Sequence, residues 1–185
     1  MTFIIPALIL LFLMIILAFV MALNAETTVP LPVYEQQLGN IRFVFVSARD
    51  LGNTLKASEA VSTSYGSQKD LTTKEKFIEV TIGAQNKGTV NTEQGAWDIG
   101  NVIDLDGRNF VPLDGYVVNP WLPAQNSCGV LLKPAFDPAP CAKIYEVAKG
   151  SGGFKIEIMT GINNNSANDF AAGRRQKYLL DLIVK

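Results

Sequence analysis

Histidine is missing from all 185 residues. Its absence removes Ser-His-Asp and Cys-His catalysis, histidine-ligated zinc and the usual proton shuttle near neutral pH. Cysteine is nearly as scarce: Cys128 and Cys141 are the only two, they show no CxxC spacing, and a thiolate metal site therefore lacks ligands. Neither sign of charge is in excess. The 16 basic and 17 acidic residues are scattered rather than blocked, so the chain carries no electrostatic footprint for nucleic acid. Carboxylate or lysine chemistry survives these exclusions, but no motif demands it. No cofactor is expected, and no enzymatic activity.

One absence is local. From Phe3 to Leu23 there are 21 residues without a charge, enough for a helix of about 32 Å against a hydrocarbon core of about 30 Å. Pro6 falls in the first turn of such a helix, where its missing N–H costs little. A cleavable signal has a basic n-region, a shorter apolar stretch and a small-x-small cleavage site. Here no Lys or Arg precedes Arg42, and Leu23-Asn24-Ala25 is a poor cleavage site. Residues 1–25 are therefore expected to be a retained transmembrane anchor in contact with membrane lipid. The alternative is a removed signal and a secreted protein. No cysteine lies near the junction to carry a lipid.

With basic flanks lacking, orientation rests on the cysteines. Cys128 and Cys141, 13 positions apart in a proline-rich stretch, read as a bridge, and such bonds persist in oxidising compartments. The domain is accordingly expected on the extracytoplasmic side of a cell membrane, as a single-pass protein. Two buried free thiols are the alternative reading.

The remaining residues, roughly 160, are enough for one domain with a real core. Residues 26–40, with two prolines and no sustained period, are expected to be a linker, and 41–185 the domain. Ile41–Ala48 reads as a strand, and 52–73 as a polar connection or a short helix near Leu55–Val61. Phe77–Gln85 alternates Ile78, Val80, Ile82 and Ala84 against Glu79, Thr81 and Gln85, the pattern of a half-buried antiparallel strand. Asp106-Gly107 between Ala96–Leu105 and Arg108–Leu113 predicts a hairpin. The prolines of 117–140 permit only edge or short strands, Val130–Lys133 among them. Ala142–Val147 and Phe154–Met159 read as further strands, and Tyr178–Val184 as a strand, the alternative being a terminal helical turn. The sum is an all-β antiparallel sandwich behind one N-terminal transmembrane helix.

KFIEVTIGAQNKG, the D-x-D-G-R-N-F hairpin, LLKPAFDPAPCAKIYEV and the GFKIEI strand together resemble the immunoglobulin-like extracytoplasmic domains common on bacterial cell surfaces. The likeness covers roughly Ile41 to Val184. It implies an immunoglobulin-like sandwich on the outer face, no enzyme activity and no agreed ligand. The long connections 52–73 and 160–175 and the lack of a lipobox cysteine depart from that pattern.

Candidate sites are few. Asp104, Asp106 and Asn109 resemble the start of a calcium loop, but position 115 is Gly where an EF-hand needs a bidentate Glu. A plain hairpin turn is the favoured reading and no metal is expected. Core packing is the commoner fate of aromatics such as Trp97, Tyr116, Trp121, Phe136 and Tyr145; Trp121, between Pro120 and Pro123, is the one expected to be exposed and is the candidate for binding. Asn164-Asn165-Ser166 is a glycosylation sequon, and Arg174-Arg175 with Lys177 a small basic patch. The expected function is a membrane-anchored binding module whose partner is another protein or a cell-envelope component. The alternative is a structural subunit of a surface filament or an accessory subunit of a membrane complex.

Overall fold

Where β-branched and aromatic residues alternate with polar ones, the chain forms strands that bury one face each. The computed structural model describes residues 30–60, 69–161 and 176–185, with Met14. The anchor segment Phe3–Leu23 apart from Met14, the sequon and Arg174-Arg175 lie outside the described residues. Among the described residues no helix is long and apolar enough to cross a membrane. The strands are β1 (Glu35–Leu38), β2 (Ile41–Leu55), β3 (Leu71–Asn86), β4 (Trp97–Ile103), β5 (Asn109–Phe110), β6 (Ala139–Val147), β7 (Lys155–Thr160) and β8 (Gln176–Asp181).

They pair antiparallel in two four-stranded sheets, β1-β2-β3-β6 and β5-β4-β7-β8. Between the sheets Phe43, Ile78, Val80 and Ile82 meet Trp97, Ile99, Val102, Ile156, Ile158 and Leu180. Phe43 and Trp97 pack edge-on with ring centroids 6.1 Å apart. Burying each such side chain contributes roughly 1.5–3 kcal/mol.

The structure departs from the expected boundaries in four places. Glu35–Leu38, expected inside the linker, is a strand paired with Ile41–Val44. The connection placed at 52–73 is shorter, because β2 continues to Leu55 and pairs there with Leu71 at the start of β3. A short 3₁₀ turn, Ala57–Glu59, follows β2. The polar extension of β2 is accommodated by register shifts around Gly52, whose positive φ of 71° suits glycine and whose N–H donates to Asp50 Oδ1 at 2.9 Å. Val130–Lys133 is not a strand. Finally, β3 is buried on both faces rather than one: Phe77 is 2% and Glu79 3% exposed.

The second burial has a definite cause. Of residues 111–138, between β5 and β6, Val118, Trp121 and Leu122 pack on the outer face of the first sheet against Leu55, Phe77, Ala142 and Ile144, while Leu132 further on joins the core between the sheets. Glu79 survives its burial because the Arg49 guanidinium reaches both of its oxygens at 2.9 Å.

Candidate binding surface

The sequence NFVPLDGYVVNPWLPAQNSCGVLL, residues 109–132, holds a single charged residue, Asp114. Asp114 starts a helical turn, α1 (Gly115–Val118), by accepting the Tyr116 N–H on Oδ1 at 2.8 Å. A 3₁₀ turn, Asn119–Trp121, continues it, with Pro120 near its start where no amide is needed. Val118, Trp121 and Leu122 recur at i, i+3 and i+4 and therefore share the face turned to the sheet. Tyr116 falls on the other side.

This reverses the aromatic assignment made from sequence. Trp121 is only 8% exposed, and its Nε1 donates to the Lys56 carbonyl at 2.8 Å, so it is an anchor and not the exposed binding residue expected. Tyr116 is 96% exposed. Trp97 and Tyr145 lie in the core, and Phe136 is exposed with the Lys133 ammonium 5.3 Å from its ring centroid. The i, i+3, i+4 recurrence of 118, 121 and 122 was a signal in the sequence for which of these rings goes inside.

Both ends of the segment are fastened. Leu113 N–H donates to Ile144 O, and Pro112 bridges Tyr145. The Asn126 amide accepts from Ala142 N and donates to Ala142 O, both at 2.9 Å, and Ser127 N–H donates to Pro140 O. Asn126 thus substitutes for a neighbouring strand along the outer edge of β6. Two residues further on, Cys128 and Cys141 are joined as a disulfide with their Cα atoms 4.5 Å apart. Beyond it, the Val130 carbonyl accepts from Trp97 Nε1, and Thr92 and Leu132 exchange hydrogen bonds. Among the described residues Asp114, Gly115, Tyr116, Val117, Asn119, Pro120, Leu122 and Asn126 line a groove of about 910 Å³.

The loop with the calcium-like spacing is a hairpin turn. Asp104 and Arg108 close it through backbone hydrogen bonds, with Gly107 at a φ of 77°. Asp104 Oδ1 accepts from the Asp106 and Arg108 amides, and Oδ2 from Arg108 Nε and Ser151 Oγ. Four hydrogen bonds commit this carboxylate, while Asp106 pairs with Arg108 and Asn109 is exposed. Burial works to raise the Asp104 carboxyl, but Ser151 and Arg108 outweigh it and hold the group below its ordinary value.

A polar cluster sits at one side of the sandwich. Lys143 Nζ, on β6, donates to Asp98 Oδ2 and the Ile99 carbonyl of β4, each at 2.7 Å. Tyr145 OH donates to Gly100 O at 2.7 Å, and burial, assisted by Asp98 and Glu157, pushes this phenol well above its ordinary value. Asp98 also lies beside Cys128 and Cys141. Because those sulfurs are bonded to each other, they offer no thiolate to an ion.

No protein-family model matches the chain, and no curated protein matches it. Among solved structures it is similar to the yjhA protein of Bacillus subtilis, at 13% identity and a TM-score of 0.48 over 80% of this chain and 96% of that one. A conserved hypothetical protein of Bacillus anthracis matches at 12% identity and 0.48, over 82% and 94%. A protein of unknown function from Listeria monocytogenes matches at 10% and 0.47, over 82% of each. No activity is carried over from these likenesses.

Proposed function

We propose that the protein is a non-catalytic binding module with an immunoglobulin-like sandwich, held on the extracytoplasmic side of a membrane by Phe3–Leu23, and that its partner is a protein or another cell-envelope component. The strand order favours the immunoglobulin-like assignment: β2-β3-β6 and β5-β4-β7-β8 correspond to A-B-E and C′-C-F-G, with buried Trp97 at the position of strand C. The bridge is a local one, since it joins a surface segment to β6 rather than β3 to β7. A disulfide in a covering segment favours an oxidising compartment.

The observation that carries the binding role is Tyr116, 96% exposed on a turn that Trp121 and Leu122 fix to the sheet. The backbone beneath the ring is fixed while the ring itself stands in solvent, which leaves its faces available to a partner. The groove is lined, among the described residues, by one carboxylate and no lysine or arginine. That is a poor equipment for acid–base chemistry and an adequate one for recognition.

Photocrosslinking in intact cells tests this reading. A photoreactive residue at Tyr116 should give a discrete adduct that external protease removes without lysis. The same residue at Val90, 71% exposed on the β3–β4 loop, should not. Equal labelling from both positions, or none from either, would contradict the proposal.

A further inference from the structure

We infer that the Tyr116 groove binds a neutral oligosaccharide, with the Tyr116 ring as a stacking platform for one sugar and Asn119 as a hydrogen-bonding group beside it. The inference rests on the binding role proposed above and gives it a ligand class.

Four properties of the surface select that class. The groove, about 910 Å³, lies within the ~300–1,000 Å³ typical of small-ligand clefts. Its floor is mixed, with Val117, Pro120 and Leu122 offering apolar contact and Asp114 and Asn119 offering polar groups. A sugar has the same mixture: C–H bonds on the ring faces and hydroxyls at the edges. The π face of an aromatic ring is electron-rich and attracts the polarised C–H bonds of a pyranose, while Tyr adds a hydroxyl at the rim. Asp114 spends Oδ1 on the Tyr116 amide and keeps Oδ2 as an acceptor for sugar hydroxyls.

Competing ligand classes meet specific obstacles. Phosphorylated or polyanionic ligands would face Asp114 and no lysine or arginine among the described lining residues. A peptide adding as a strand needs an open sheet edge, and the edge next to the groove, that of β6, is already bonded to Leu113, Asn126 and Ser127. Insertion into a lipid surface calls for an apolar face with basic residues beside it, whereas the described lining of the groove holds Asp114 and no lysine or arginine. Rigidity favours the remaining choice. Because Val118, Trp121 and Leu122 are buried and the disulfide follows, the backbone that carries Tyr116 needs little further ordering on binding.

Calorimetry of the full chain in a detergent without sugar headgroups tests the assignment, with cellohexaose and chitohexaose as probes and polygalacturonate as the anionic control. At least one neutral hexasaccharide should bind, and polygalacturonate should not. Tyr116→Ala should weaken binding at least about tenfold, the loss of one aromatic stack and its contact area. Tyr116→Phe should stay within about threefold of wild type, and Asn119→Ala should fall between the two. Unchanged melting temperatures would show that the exposed substitutions leave the fold intact. No heat from either hexasaccharide, or neutral-sugar binding indifferent to Tyr116→Ala, overturns the inference. The crosslink from position 116 separates the two failures: present without sugar binding, it leaves a binding module of another ligand class; absent as well, both readings fall.

Discussion

Trp121→Ala should cost the domain about 3 kcal/mol, near the lower end of the ~3–5 kcal/mol found when a buried tryptophan or phenylalanine is cut to alanine. The lower end follows from position. Trp121 is 8% exposed and packs on Leu55, Phe77, Ala142 and Ile144 from one side, at the outer face of a sheet rather than between two. Its hydrogen bond to Lys56 O accounts for about 1 kcal/mol of the total. Trp121→Phe keeps most of the apolar contact and loses the donor, so it should cost about 1–2 kcal/mol. Tyr116→Ala, five positions away and solvated, should stay within about 0.5 kcal/mol of wild type. Urea unfolding of the full chain, followed by far-ultraviolet circular dichroism because fluorescence changes with the tryptophan itself, gives all three values from the shift in midpoint at constant slope. A neutral Trp121→Ala combined with a destabilising Tyr116→Ala would refute the burial assigned here and remove the platform on which the binding surface rests.

Replacing both cysteines by alanine should destabilise the domain by about 3 kcal/mol in the chain-entropy treatment of a loop this short, read as a drop in urea midpoint. Tyr145→Phe leaves the buried Gly100 carbonyl without its 2.7 Å donor and should cost about 1–2 kcal/mol in the same assay. Gly100→Ala should destabilise by about 1–3 kcal/mol, because a Cβ there would come within 3.0 Å of Glu157 Cβ on the neighbouring strand. Acid should unfold the protein through its engaged carboxylates. The Gly52 amide and Lys76 hold Asp50 below its ordinary value despite burial, and for Asp181 the opposing burial is outweighed by Lys155 and the Val33 amide. Groups lowered on folding stabilise fully above the ordinary aspartate value near ~3.9 and lose that stabilisation as pH falls through the folded value. Melting temperature should therefore hold from neutral pH to about 4 and decline below it, and Asp181→Asn should flatten part of that decline.

The strands most legible in the sequence were those whose partners lie on one side only. Phe154, Ile156 and Ile158 alternate with Lys155 and Glu157, and the even-numbered side chains are buried as the alternation predicts. In β3 the same pattern located the strand but misjudged Glu79 and Thr81, because the layer that buries them comes from residues more than 30 positions downstream. Strand β1 was invisible since EQQL has neither β-branched residues nor alternation, and its pairing is supplied by β2. The polar continuation of β2 through Gly52 and Thr54 has a related explanation: hydrogen bonds to β3 carry it, with Leu51 and Leu55 packed against the residues that cover the sheet. At the candidate site the two prolines around Trp121 suggested a loop in solvent, yet Pro120 opens a 3₁₀ turn that directs the indole inward. The disulfide partners were readable by counting, but not what the bond secures, which depends on the path of residues 111–138 between β5 and β6.

Intact-mass measurement of the protein as it is recovered from cells, alkylated with and without prior reduction, tests most directly whether this is a disulfide-secured extracytoplasmic surface. The expected result is no alkyl group before reduction and one on each of Cys128 and Cys141 after it. Two alkyl groups without reductant would mean free thiols, a segment over the sheet that is not cross-linked, and a domain exposed to a reducing compartment.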